Sequence, residues 1–160
     1  MEEETREVNV CEEHPEVCMD FMGEFPVSVD DKGRLTIAAP LRPYLNGELV
    51  LYYLAKQGTL QIWPMAAAKT VMAQLKVAFD KKEISYPVYA FRMGQYRRVA
   101  VDKQGRILLP AALRQQAVCA AGAKVLTGCC DHLILWTEEA WNNAQLEAEA
   151  SGYNFDERYM

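Results

Sequence analysis

The chain has 160 residues, enough for one domain or for two fused half-domains that share a core, and 51% of them are apolar. No run of ~18 uninterrupted apolar residues occurs, so no transmembrane helix is expected, and the acidic N-terminus is the opposite of a secretory or mitochondrial leader. The formal net charge of −5 argues at first against a polyanionic partner, but it is unevenly spread, −7 over residues 1 to 20, +7 over residues 21 to 136 and −5 over residues 137 to 160.

Residues 1 to 20 show neither a helical nor a strand period and hold too few apolar groups to offset the entropy of ordering, so they read as an acidic disordered extension. Cys11, His14 and Cys18 are three soft donors within it, but a structural zinc site wants four at tighter spacing, so no metal is expected. The first half then runs strand, turn, strand from Phe25 to Ile37, a short helix from Pro40 to Leu45, and strands Leu49 to Leu54 and Leu60 to Trp63. A helix from Met65 to Phe79 follows, with Val71, Met72, Leu75, Ala78 and Phe79 on one stripe. The segment to Gln95 carries Ile84, Tyr86, Val88, Tyr89 and Phe91, too apolar for a plain linker. Because Pro87 fits only the first turn of a helix, one starting near Ser85 is expected.

The second half repeats the order, with strands Arg97 to Val101 and Ile107 to Leu109, a helix from Pro110 to Ala117, and strands Lys124 to Thr127 and Leu133 to Trp136. Thr137 is a fitting N-cap for a helix from Glu138 to Glu149, whose first-turn acids suit the helix dipole. The organisation expected is an extension (1–20), a first repeat (21–80), a linker helix (81–95), a second repeat (96–145) and an acidic tail (146–160). Either half alone buries too little apolar surface to stand, so the two must pair as a pseudo-two-fold barrel of interleaved hairpins.

The strongest signal is one stretch present twice. Asp30-Asp31-Lys32-Gly33-Arg34-Leu35-Thr36-Ile37 returns as Asp102-Lys103-Gln104-Gly105-Arg106-Ile107-Leu108-Leu109 at an offset of 72, and a second arginine follows each, Arg42 and Arg114. In such a turn an Asp side chain accepts from backbone N–H groups two residues on, and Gly takes the positive φ that other residues resist. Asp30, Gly33, Asp102 and Gly105 therefore shape the turns, leaving Lys32, Arg34, Lys103 and Arg106 as cations in or beside them. Arg presents a planar fork suited to O6 and N7 of guanine, and Lys a point contact to phosphate or base. The competing reading is that Asp30–Arg34 and Asp102–Arg106 ion pairs only brace the hairpins, and spacing alone divides the two evenly.

The repeated Asp-x-x-x-Arg signature, with Phe21-Met22-Gly23-Glu24-Phe25 and Leu109-Pro110-Ala111-Ala112-Leu113-Arg114, resembles the MraZ family of bacterial transcriptional regulators over roughly residues 21 to 145. The resemblance implies an α+β, mainly β fold, a tandem-repeat swapped-hairpin (AbrB-like, SpoVT-like) double-split β-barrel with flanking helices. It also implies a cytoplasmic, nucleoid-associated homo-oligomeric ring that binds double-stranded DNA through Lys32, Arg34, Lys103 and Arg106, at direct repeats upstream of the cell-division and cell-wall gene cluster. Ala38 stands where the second copy has Pro110, so a looser junction is expected in the first half. Arg42 and Arg114 are expected to pair with backbone or acids inside the barrel, and one of Arg97 and Arg98 to touch phosphate. The acidic ends either keep the protein soluble or compete with DNA phosphate for the basic middle.

Catalysis has little to recommend it. His14 and His132 are the only histidines, and no nucleophile, base and orienting group can be assembled. Cys129-Cys130-Asp131-His132 falls where the first half has the turn Lys56-Gln57-Gly58-Thr59, so it reads as a loop with adventitious side chains. The five cysteines form no regular framework, and no disulfide is expected. Neither an enzymatic activity, a cofactor, a small-molecule substrate nor a membrane partner is expected. The alternative function is an oligomeric protein-interaction scaffold without specific DNA binding.

Overall fold

The structure, a computed structural model, describes residues 21 to 152; the extension with Cys11, His14 and Cys18, and residues 153 to 160 of the tail, lie outside the described residues. The strands are β1 (Glu24–Val29), β2 (Arg34–Thr36), β3 (Glu48–Leu54), β4 (Thr59–Pro64), β5 (Arg97–Ala100), β6 (Arg106–Leu108), β7 (Gly122–Cys129) and β8 (His132–Thr137). They form one eight-stranded sheet in the order β5-β3-β4-β8-β7-β1-β2-β6. Every paired neighbour is antiparallel, and a bridge from Val101 to Ile107 brings the ends together, so the sheet nearly closes into a barrel.

Exchanging β1 to β4 for β5 to β8 leaves this circular order unchanged, which is the two-fold symmetry that the sequence repeat calls for. The halves are interleaved. β1 lies along β7 from Glu24↔Thr127 to Val29↔Gly122, and β5 lies along β3 from Glu48↔Ala100 to Leu51↔Arg97, so each half supplies a strand to the other's long hairpin. Inward-facing residues alternate with outward ones, and Leu35, Leu51, Ile62, Ile107, Leu126 and Leu135 are fully buried in a core drawn from both halves. Burying each such side chain contributes roughly 1.5–3 kcal/mol. The symmetry lapses at one core position, where the place that Leu49 holds beside Val99 is held in the other half by Lys124 beside Val27.

Three helices flank the barrel. In α1 (Met65–Asp80) Ala67 and Ala68 are buried, and Val71, Met72, Leu75, Ala78 and Phe79 are half-buried. The chain reverses into α2 (Tyr86–Gln95), where the Ser85 hydroxyl accepts from the Val88 N–H and Pro87 sits in the first turn; Tyr89 stacks on Phe79 with centroids 4.7 Å apart. No residue of α2 is buried, and Tyr86 and Phe91 are each 70% exposed. α3 (Glu138–Ala150) opens on Thr137, whose hydroxyl accepts from Ala140 N–H at 3.1 Å, and docks through a hydrogen bond of 2.9 Å from Trp141 Nε1 to Glu24. No helix among the described residues is long and apolar enough to cross a membrane.

Two local expectations are corrected. In place of a helix from Pro110 to Ala117 there are two short 3-10 turns, Ala111–Leu113 and Ala117–Cys119. Gln116 is extended between them (φ −77°, ψ 139°), and that break lets Val118 and Cys119 reach the core, each 1% exposed. The junction at Ala38 is no looser than that at Pro110. Their backbones coincide (φ −57°, ψ 135° against φ −57°, ψ 141°), and both carbonyls accept from the residue three on, because Ala38 already adopts the φ that a proline ring would impose.

The segment before β1 crosses β7 at Gly128, whose N–H donates to the Gly23 carbonyl at 2.9 Å, while Phe21 and Cys130 exchange two backbone bonds. A Cβ at Gly128 would collide with the Met22 backbone nitrogen and with the backbone of Phe21. Gly128→Ala should therefore lift Phe21, only 3% exposed, out of the core, lowering the thermal midpoint by about 5–10 °C. Gly94→Ala, where an added Cβ meets nothing within 4 Å, should leave the midpoint unchanged or slightly higher in the same melting experiment.

Candidate nucleic-acid interface

Each repeated turn is closed by its aspartate. Asp30 Oδ1 accepts from the N–H groups of Lys32 (2.9 Å) and Arg34 (2.8 Å), and Asp102 Oδ1 accepts from those of Gln104 (2.8 Å) and Arg106 (2.9 Å). Gly33 (φ 80°) and Gly105 (φ 75°) take the left-handed conformation that completes the turn. Both glycines are also buried, for a reason that sequence alone does not show. Arg114 of the second half lies over Gly33, and Arg42 of the first lies over Gly105, so that a Cβ on either would sit 2.6 Å from an arginine Nε. Those Nε atoms donate to the carbonyls of Leu109 (3.0 Å) and Ile37 (3.1 Å), so Arg42 and Arg114 pair with backbone, not with acids. Two further bonds cross between the halves, from Ile37 N–H to Gly105 O (2.9 Å) and from Leu109 N–H to Gly33 O (2.8 Å).

Because the turns are tied to each other, β2 and β6 form a two-stranded antiparallel ribbon in the register Arg34↔Leu108, Leu35↔Ile107, Thr36↔Arg106. Leu35 and Ile107 point into the core, so Arg34, Thr36, Arg106 and Leu108 all project outward on one face. The two arginines lie diagonally across it, about 7–8 Å apart by the general geometry of antiparallel strands, with their Cβ atoms somewhat closer. Lys32 and Lys103 are exposed on the turns at the ends of the ribbon, at positions that do not correspond, two residues before Arg34 in one case and three before Arg106 in the other. Arg97 and Arg98 stand apart. Arg97 donates to the carbonyls of Gly94 and Tyr96, and Arg98, on β5, lies 3.8 Å from Glu48.

The ion pairs that the bracing reading requires are present, Arg34 Nε to Asp30 Oδ2 at 2.7 Å and Arg106 Nε to Asp102 Oδ2 at 3.1 Å. The arginines are thus held, not left free to project. Only Nε is engaged, and neither terminal nitrogen of either guanidinium has a hydrogen-bond partner among the described residues. The backbone N–H of Arg34, ahead of its side chain and the Lys32 N–H, holds the Asp30 carboxyl below the usual carboxylate value against the opposing effect of desolvation; the N–H of Arg106 does the same for Asp102.

Other chemistry is poorly supported by geometry. The Cys129 thiol is raised, chiefly by burial and then by Asp131, which lowers its reactivity, and burial pushes Cys119 up to about 11. His132 bonds Asp131 at 2.8 Å and stacks on Trp63 with centroids 3.9 Å apart. No group of three metal-ligating side chains is assembled among the described residues. The missed members of the outward face are Thr36 and Leu108, which a period of two about Leu35 and Ile107 marks as neighbours of the arginines.

Residues 21–84 and 93–160 match the family model described as "MraZ protein, putative antitoxin-like". The chain is 31% identical over 143 residues to the transcriptional regulator MraZ of Natranaerobius thermophilus, an alignment that covers 88% of this chain and 96% of that protein. It is 35% identical over 130 residues to the protein of the same name from Desulfitobacterium hafniense (81% and 89% covered), and 33% over 138 residues to that from Leuconostoc citreum (86% and 92%).

The depressed aspartates give the turns a pH dependence of defined sign. A carboxyl whose folded pKa lies below its ordinary value of 3.8 contributes stability that is complete above that value and is lost as pH falls through the folded pKa. The double variant Asp30→Asn, Asp102→Asn should therefore melt below the native chain at about pH 6, and the gap should narrow as pH falls below 3.8. A gap that stays constant in melting curves across that range would show that the carboxylates do not hold the turns.

Proposed function

The chain belongs to the MraZ family, and from that membership we propose that it is a sequence-specific, non-enzymatic DNA-binding transcriptional regulator. The observation that carries the proposal is the ribbon of β2 and β6, which presents two half-ordered guanidinium groups on one open face. A two-stranded ribbon fits the major groove of B-DNA, about 12 Å wide. With Nε given to aspartate, the terminal nitrogens of Arg34 and Arg106 form a fork whose plane is already set, suited to O6 and N7 of guanine and ordered at reduced entropic cost. Lys32 and Lys103 reach phosphate at either end, adding affinity that carries no sequence information but weakens with salt.

The site of action we infer is a set of direct repeats upstream of the cell-division and cell-wall gene cluster, bound in the cytoplasm at the nucleoid by a homo-oligomeric ring. The exposed apolar side chains of α2, Tyr86, Val88 and Phe91, support assembly, with a second copy of this chain as the surface that covers them. In a ring built by head-to-tail contacts neighbouring ribbons meet DNA in the same sense, which calls for direct rather than inverted boxes. The Asp–Arg ion pairs favour the rival scaffold reading, in which the turns only brace the barrel, and a DNA titration at two salt concentrations separates the two.

Arg34→Ala and Arg106→Ala should each weaken binding to a native promoter fragment by ~1 to 3 kcal/mol for every guanine they no longer reach, multiplied over the subunits engaged, in a mobility-shift assay. Melting temperatures that fall while binding persists would favour the brace. Inserting a half-turn of about 5 base pairs between boxes should weaken binding far more than inserting about 10, which restores the same face of the duplex. Equal tolerance of the two in footprinting would show that neighbouring ribbons do not read the site together.

A further inference from the structure

The ribbon face is symmetric in its arginines and asymmetric beside them. The local two-fold axis passes through the Leu35↔Ile107 pair and relates Arg34 to Arg106 and Thr36 to Leu108. Directly opposite Arg34, then, stands an aliphatic side chain that is 55% exposed, and opposite Arg106 stands a small hydroxyl. An exposed leucine on a three-residue strand between two cations costs solubility and gives nothing to the core, which Ile107 already fills on the other face. Opposite residues on antiparallel strands have Cβ atoms about 4.5–5.5 Å apart, so a base met by Leu108 lies within about one or two steps of 3.4 Å from the base met by Arg34.

In the major groove only one apolar group distinguishes the bases, the C5-methyl of thymine. We propose that Leu108 is a specificity-determining residue that covers a thymine methyl beside the guanine read by Arg34, and that its difference from Thr36 gives each subunit a direction on DNA. The inference rests on the DNA-binding reading above and adds to it the second base and the polarity of the box. One subunit alone then reads a non-palindromic element, because its two half-faces, Arg34 with Leu108 and Arg106 with Thr36, recognise different steps.

The test uses the full chain and a library of randomised duplex DNA. The native protein should enrich an asymmetric box in which one thymine neighbours a guanine. Replacing that thymine by deoxyuridine, which removes only the methyl, should weaken binding about fourfold, the effect of one buried methyl-sized group. Leu108→Ala should enrich the same guanines, lose the thymine and become indifferent to deoxyuridine. Thr36→Leu should gain a second methyl-sensitive position across the two-fold axis. Leu108→Ser, which carries no methyl group, serves if the alanine variant does not fold. Retention of the thymine preference and of the deoxyuridine effect in Leu108→Ala overturns the proposal. So does a Leu108 variant that changes only the oligomer mass, since the leucine would then lie between copies. Failure of the native chain to enrich any box overturns the DNA-binding reading itself, an outcome distinct from either.

Discussion

Two strands of three residues, β2 and β6, hold each other across the two-fold axis, and each pairs with its own half at a single position. Each is flanked by a bond to the other half's turn glycine and roofed by the other half's arginine. A short strand has no long ladder to offset the entropy of ordering, so these two depend on the fully buried Leu35 and Ile107 and on the bonds that cross between the halves. The consequence runs outward. Pairing β2 with β6 fixes which side of Leu35 and Ile107 faces the core, and thereby places four side chains on a common outer face. While keeping one pairing each with β2 and β6, β1 and β5 lie along β7 and β3 and so complete the hairpins of the other half.

The turn aspartates show one group serving two ends. Oδ1 gathers two backbone N–H groups and sets the path of the chain, while Oδ2 takes the arginine Nε and sets the plane of the guanidinium. Bracing and recognition, which the sequence presents as rivals, use different nitrogens of the same side chain. A carboxylate that restrained both terminal nitrogens would have closed the fork, and one that restrained none would have left it to be ordered by DNA.

Much of the architecture is legible in the sequence because it rests on local rules. The offset of 72 announces the two-fold relation, Asp and Gly at fixed places announce the turns, and alternation about Leu35 and Ile107 announces which residues face outward. What could not be read depends on atoms brought together from the two halves. Nothing near Gly33 in the chain tells that Arg114 will lie on it, and nothing near Gly128 tells that Met22 will cross it. The helix expected over Pro110 to Ala117 failed in the same way. Its alanine-rich composition favours a helix, but the core's demand for Val118 and Cys119 imposes an extended Gln116 and divides it into two turns.

A barrel whose halves complete one another could equally be made by two identical chains, and the covalent join then changes what substitution can do. In a dimer of identical subunits every replacement appears at both ends of the axis, so a residue useful at one end must be tolerable at the other. Joined in one polypeptide, the two ends vary separately. Lys124 can occupy a place where a second lysine would displace the fully buried Leu49, and the long stem of one can lie beside Val27 while the other packs on Val99. Duplication followed by fusion is, in this sense, what frees a symmetric scaffold to become unequal.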